Sequence, residues 1–347
     1  MLGPVDPSAI GPTQMHEHMV IDFLAVGLDE QGSHAAAVAE AGGAGLDWHE
    51  PISLSNYYAV RRNPFLLKEA MQLLEPELIA DALLAFKAAG GACIVEVTPL
   101  GVGRDPQALR RLSEATGVTI VMGTGFYVRD YQPPEFVSMS EDEIADIIVQ
   151  DIEEGAGDPV VRPGIIGEVG LTWPVHPQEI KCLRAAAKAQ RRTGLALTIH
   201  PGRNVRAPLE AIKVVEDAGG DVTRTIICHL DRTIFDDADY LELARTGCYC
   251  EQDLFGWETR HYPLSDIDMP NDAIRVDHMR ALAEAGFLDR ILVSHDVDSK
   301  LRLKPFGGEG YEHILQNVVP VMRRKGFSEA EVEQIMVGNP RRLLTIV

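Results

Sequence analysis

Two histidines separated by one residue, His16 and His18, are the first groups in this sequence that could do chemistry. In extended chain, residues i and i+2 share a face, so both imidazoles point one way and Glu17 the other. Further along, Glu168, His200, His229 and Asp296 each stand at the end of a short apolar run. Imidazole nitrogens and carboxylate oxygens are the donors that hold zinc and its relatives. A single histidine at a strand end is more often a hydrogen-bonded core residue. A His-x-His pair followed by an apolar-flanked Glu, two strand-end histidines and a late Asp is a set that packing alone does not require. His34, His49, His176, His261, His278 and His313 fall in loops or helices and are assigned no metal, and His295 points away from Asp296 as a supporting or packing residue.

These groups matter only if the fold brings strand ends together. Short apolar runs bounded by turn residues alternate with helical patterns, which is the signature of repeated βα units and a parallel sheet. Strands are expected at residues 13–22, 92–98, 119–125, 164–169, 196–200, 225–229, 248–253 and 290–294. Helices are expected at 76–89, 107–116, 141–154, 178–193, 207–218, 237–246 and 272–285, with the last ones at 310–325 and 328–336. Several helices run into glycine (Gly90, Gly117, Gly194, Gly219, Gly247, Gly286), the residue best suited to the left-handed position after a helix. Ser328 and Glu331 have capping-box spacing.

Eight βα units predict an α/β fold, a single (β/α)₈ TIM barrel over residues 1–347, in which the C-terminal strand ends line the active site. No G-x-G-x-x-G follows the first strand and no P-loop pattern occurs, so nucleotide folds lack their usual support; Gly101-Val102-Gly103 reads as a plain loop. One connection is far longer than the rest. Residues 23–75 separate the first strand from its helix and begin with a Gly/Ala-rich run, then carry Tyr57, Tyr58, Phe65, Leu66 and Leu67. Long excursions of this kind are functional lids or disordered segments, and the apolar residues predict one that covers the barrel mouth.

Composition narrows the function. Asp+Glu number 52 against 32 Lys+Arg, a net charge of −20. Such a surface repels phosphate backbones and anionic lipid, which excludes nucleic-acid and peripheral-membrane roles and leaves a small molecule as the partner. Cys93, Cys182, Cys228, Cys248 and Cys250 are odd in number and form no C-x-x-C pair, which points to a reducing compartment. The first residues have neither a basic region nor an apolar stretch, and no apolar run is long enough for a membrane helix, so a cytoplasmic protein is expected, with a homodimer admissible.

The motifs Met15-His16-Glu17-His18, Gly101-Val102-Gly103-Arg104-Asp105, Gly123-Thr124-Gly125-Phe126-Tyr127, His200-Pro201-Gly202-Arg203, His229-Leu230-Asp231-Arg232-Thr233 and Ser294-His295-Asp296 resemble the phosphotriesterase family over nearly the whole chain, and more closely its phosphotriesterase-related branch. The resemblance implies two divalent metals, zinc first, with manganese, iron or cobalt as alternatives. His16, His18 and Asp296 would hold the buried one, and His200 and His229 the more exposed one. Phosphotriesterases and related lactonases usually bridge the metals with a carboxylated lysine. Here Gly167-Glu168-Val169 offers Glu168 instead, and Arg232 and Leu254 stand where the triesterases carry an Asp–His proton relay.

A metal pair of this kind acidifies a shared water and polarises a carbonyl, and Asp296 can take the water's proton and pass it to the leaving group. Glu17 or Asp231 are candidates to orient the ligand histidines. Tyr127 either donates to the substrate carbonyl or packs. Arg203 and Arg232 follow ligand histidines, and Lys300 and Arg302 follow Asp296, so an anionic substrate is expected. The resemblance implies amide cleavage of a small N-acyl acid such as N-acetyltaurine or an N-acyl amino acid. The alternatives are a lactonase or carboxylic esterase with weak phosphotriesterase activity, and a non-catalytic ligand-binding protein on a hydrolase scaffold.

Overall fold

In the computed structural model, which describes residues 1–25, 35–39, 45–258, 262 and 264–346, eight parallel strands follow one another in chain order. They are β1 (Thr13–Glu17), β2 (Cys93–Glu96), β3 (Thr119–Thr124), β4 (Ile165–Gly170), β5 (Leu197–His200), β6 (Thr225–Ile227), β7 (Tyr249–Gln252) and β8 (Ile291–Val293). Contacts that close the seam between β8 and β1 include the Asp296 N–H, which donates to the His16 carbonyl at 3.2 Å, and the His16 N–H, which donates to Ser294 Oγ at 3.0 Å. The expected barrel is therefore the observed one.

A helix follows each of the first seven strands: α1 (Pro76–Ala88), α2 (Pro106–Thr116), α3 (Glu141–Glu154), α4 (Pro177–Thr193), α5 (Ala207–Asp217), α6 (Asp237–Ala244) and α7 (Asp272–Leu282). Their ends follow local chemistry. Asp105 caps α2 ahead of Pro106, and Ser140 exchanges hydrogen bonds with Glu143 at the start of α3. Gly117 and Gly194 close α2 and α4 with φ of 68° and 72°, a region that a side chain would strain. The capping box at Ser328 and Glu331 also forms. No helix among the described residues is long and apolar enough to cross a membrane, and all five cysteines are buried free thiols.

Met15, Val95, Val97, Ile165, Ala196, Ile226, Tyr249 and Leu292, drawn from six strands or the residue next to one and from the residue ahead of β5, pack against one another as the floor inside the barrel. The larger apolar layer, with Ile166, Val169, Leu197, Ile199, Ile227, Ile291 and Val293, lies between strands and helices. Strict alternation from this floor would turn His16 and Glu168 outward. Two register slips prevent that. Between Gln14 and Glu17, β1 carries one residue more than β2, and between Ile166 and Val169, β4 carries one more than β5. An extra residue re-aims the side chains that follow, so His16 and Glu168 face inward.

The first strand is shorter than the expected 13–22. After Glu17 the Met19 N–H donates to Glu96 Oε1 at 3.3 Å and the His18 carbonyl accepts Tyr311 Oη at 2.6 Å, which replaces the ladder. Ile21–Asp22 then leaves the barrel and pairs antiparallel with Gln72–Leu73, clamping the neck of the 23–75 connection. Within that connection Val60, Leu66, Leu67 and Ala70 pack with Leu301 of the segment after β8. Most of its Gly/Ala-rich run lies outside the described residues.

Candidate metal centre

Six side chains from five strand ends converge in the barrel mouth. Glu168 sits between them. Its Oε1 lies 3.5 Å from His18 Nε2, and its Oε2 lies 2.8 Å from His200 Nδ1, 3.4 Å from His229 Nε2 and 3.8 Å from His16 Nε2. Asp296 Oδ1 is 3.2 Å from His18 Nε2 and 3.7 Å from His16 Nε2. The donor atoms of His16, His18 and Asp296 lie within 4.8 Å of one another, and so do those of His16, Glu168 and His229. Both residues that end this constellation after β6 and β8 have left-handed backbone, His229 with φ of 52° and Asp296 with φ of 56°. For residues with a side chain, that geometry is costly and concentrates at functional sites. It turns His229 back toward the centre where alternation from Ile226 would have pointed it away.

The residues suit divalent cations. Both ring nitrogens of His16 are buried and have no hydrogen-bond partner among the described residues, an arrangement that costs free energy unless a ligand engages them. Burial works against a charged ring at His16 and His18. At His16 Glu251, Glu168 and Asp296 outweigh it; at His18 Asp296 and Glu168 do, and raise that ring to about 9. A pocket that raises two buried imidazoles in this way is electrostatically built for positive charge. His200 and His229 differ. Burial, then the neighbouring Arg232, keeps both well below the ordinary histidine range, hence neutral as metal ligation requires. Cys228 lies within reach of His16, Glu168 and His229, but its thiol donates to the Ile199 carbonyl at 3.0 Å. Burial and Asp253 push its pKa well up, which leaves it a poor donor.

The histidines are oriented by groups other than those expected. Glu17 accepts from Ser294 Oγ, His295 Nδ1 and the N–H groups of His295 and Val297, so it fastens β8 rather than a ligand histidine. His295 accordingly supports the site from behind. Asp231 accepts from Arg275 Nε at 2.7 Å and from the Leu254 N–H at 2.9 Å, which ties the loops after β6 and β7 together. The actual partners are Asp253, 2.9 Å from His229 Nδ1, and Thr98, 2.8 Å from His18 Nδ1 and backed by Glu96. Sequence reading missed Asp253, Glu96 and Glu251. One signal was available: Tyr249, Glu251 and Asp253 alternate along β7, placing two acids on the face that elsewhere is apolar.

Above the centre lies a cavity of about 230 Å³. Tyr127, His200, Arg203, His229, Arg232, Leu254 and Asp296 line it from the barrel, and Phe23, Pro64, Phe65 and Met71 from the 23–75 connection. Arg232 is 3 % exposed; its Nη2 donates to His200 Nε2 at 3.0 Å and its Nη1 has no partner among the described residues. Arg203 donates to Tyr262 Oη at 3.1 Å and stacks over that ring. Tyr127 Oη is 3.4 Å from His200 Nδ1, with its ring edge-on to the imidazole, and burial raises its pKa so that it stays a phenol. Of the two later basic residues, Arg302 lines the cavity, whereas Lys300 does not: its ammonium pairs with Glu69 at 3.0 Å and Glu75 at 2.5 Å. His176 caps α4, His278 pairs with Asp237 and His313 with Asp272, all away from the centre; His34 and His261 lie outside the described residues.

Comparison with known proteins agrees with this geometry. The model of the phosphotriesterase family matches residues 1–344. The N-acetyltaurine hydrolase of Homo sapiens is 43% identical over 347 residues, covering 99% of this chain and 97% of that protein. Among solved structures, a resiniferatoxin-binding protein from Rhodobacter sphaeroides is 35% identical with a TM-score of 0.89, covering 99% of this chain and 93% of its own. A phosphotriesterase homology protein from Escherichia coli, complexed with phosphate in its active site, is 25% identical with a TM-score of 0.77 over 98% of this chain and 100% of its own.

Proposed function

Because the chain belongs to the phosphotriesterase family and is a metal-dependent hydrolase, we propose that it cleaves the amide bond of a small anionic N-acyl compound, of the N-acetyltaurine or N-acyl amino acid class. One observation carries the substrate class: a buried guanidinium, Arg232, beside the centre, whose Nη1 has no partner among the described residues, in a cavity that Arg203 also lines. An Arg fork matches the paired oxygens of a carboxylate or sulfonate. Full-length similarity to N-acetyltaurine hydrolases supports the same class.

In this reading His16, His18 and Asp296 would hold one divalent metal and His200 and His229 a second, with the Glu168 carboxylate shared between them. Zinc suits the N/O donor set best, with manganese, iron or cobalt as substitutes. Bound there, the two cations supply Lewis-acid chemistry, acidifying a water and polarising an amide carbonyl. The remaining work belongs to the chain. Asp296 takes the proton of the attacking water on a carboxylate oxygen and returns it to the leaving nitrogen, so that amide and water become acid and amine. Tyr127, kept a phenol, donates to the carbonyl oxygen. Arg203 and Arg232 hold the anionic end and set the distance to the scissile bond. Residues 23–75 act as the lid that excludes bulk water, a role supported by Phe23, Pro64, Phe65 and Met71 on the cavity wall. Five unpaired thiols fit a reducing compartment such as the cytoplasm.

The test is a panel of N-acyl amino acids, N-acyl amino-sulfonates and neutral lactones, assayed for released amine, acid or hydroxy acid. The anionic amides should be the better substrates by kcat/KM. Arg203→Ala and Arg232→Ala should each raise KM for them about tenfold, since a charged hydrogen bond contributes ~1.5–3 kcal/mol, with neutral lactones little affected. Lactones outrunning every amide, or equal losses on both classes, would overturn the proposal.

A further inference from the structure

The floor beneath the centre holds a carboxylate with no assigned task. Glu251, in β7, is 0% exposed, and neither of its oxygens has a hydrogen-bond partner among the described residues. Its Oε2 lies 3.8 Å from His16 Nδ1, and His16 is itself the histidine whose two ring nitrogens lack partners. We propose that Glu251 is the positioning residue of His16: it receives the Nδ1–H of that ring and holds Nε2 toward Glu168 and Asp296.

The competing acceptor is Asp253, whose Oδ2 is nearer, at 3.4 Å from His16 Nδ1. Asp253 is already engaged. Its Oδ1 faces His229 Nδ1 at 2.9 Å, and both of its oxygens accept the His229 N–H at 3.0 Å. Glu251 has no second claim on it. Alternation along β7 sends Tyr249, Glu251 and Asp253 into the barrel, so one strand backs two histidines: Asp253 stands behind His229 from β6, and Glu251 behind His16 from β1. A histidine that ligates through Nε2 must carry its proton on Nδ1, and the acceptor behind it fixes that tautomer and the ring's angle. A separation of 3.8 Å exceeds a hydrogen bond, but such contacts tighten when the ligand set is completed.

The proposal rests on the two-metal reading, and its test separates the two. In the zinc-loaded full-length protein, Glu251→Leu should lower the apparent affinity of the His16, His18 and Asp296 group about 10- to 100-fold in competition with a chromophoric chelator, the usual effect of losing a partner behind a ligand histidine. Glu251→Gln should retain most of the affinity, because its amide oxygen still accepts the Nδ1–H. The thermal midpoint of the metal-free protein should not fall in either variant, since each removes an unpaired buried carboxylate. A Glu251→Leu protein that binds zinc as tightly as the unmodified chain overturns the assignment. Should that variant not fold, ¹⁵N-histidine spectra of the zinc-loaded unmodified and Glu251→Gln proteins decide: a His16 Nδ1–H signal that shifts on the substitution supports the proposal, and metal on Nδ1, or a signal the substitution leaves in place and so assigns to Asp253, overturns it. An unmodified protein that takes up no second zinc overturns the two-metal reading instead.

Discussion

Glu168 has one oxygen turned to His18 and the other to His200 and His229, so its charge is shared by both halves of the centre. Glutamine at this position keeps the shape but has a single good acceptor oxygen and no charge. Two cations held on the proposed ligands would then repel each other with less compensation. Glu168→Gln should therefore fold normally yet lose the metal on His200 and His229 first, with activity down at least ~100-fold and only partial recovery in excess metal. Metal analysis beside circular dichroism tests this. Two retained equivalents and near-normal kcat would mean that another group joins the metals.

Between the connection and the barrel, a buried cation adds to the apolar fastening. Lys300 follows β8 and reaches Glu69 and Glu75, at the far end of the 23–75 segment, while Tyr57 Oη donates to the Gly307 carbonyl at 3.1 Å. Lys300 itself is 6% exposed, but its two partners are partly open to solvent, so the net contribution is about 1 kcal/mol rather than the larger value of a fully buried pair. Lys300→Met should leave the barrel's melting transition nearly in place and loosen the connection. Limited proteolysis should cut within residues 45–75 faster, and KM should rise more than kcat falls. Unchanged protease sensitivity would show that the apolar contacts with Leu301 hold the segment alone.

For the molecule as a whole, a net charge of −20 and the carboxylates of Glu168 and Asp296 among the buried histidines make cations part of its stability. Metal that binds only the folded chain stabilises it by about 2.7 kcal/mol at a hundredfold excess over Kd. Purified protein should carry close to two equivalents of divalent metal. Exhaustive chelation should lower the thermal midpoint and abolish hydrolysis, and zinc, manganese or cobalt should restore both. Less than half an equivalent in folded, reconstituted protein would end the two-metal reading. Adding salt should change affinity for neutral substrates little, since an uncharged ligand has no net Coulomb interaction with the surface for salt to screen.

Much of this was written in the chain itself. Apolar runs alternating with capped helices specify eight βα units because strand and helix periods and helix caps are local properties. Parallel strands joined by helices place their C-terminal ends on one face, so His16, Glu168, His200, His229 and Asp296 could be grouped from order alone. Their direction could not. Period-two alternation would send His16 and Glu168 outward from the floor of Met15 and Ile165, and His229 outward from Ile226. The slips in β1 and β4 and the left-handed backbone at His229 turn them in. These departures depend on how many residues each neighbouring strand sets opposite, which a single strand does not encode. The acids behind the histidines were hidden for the same reason. Asp231 and Glu17 are near the ligands in sequence, yet Asp253 and Glu96 are near them in space, because closing a barrel makes neighbours of residues from adjacent strands.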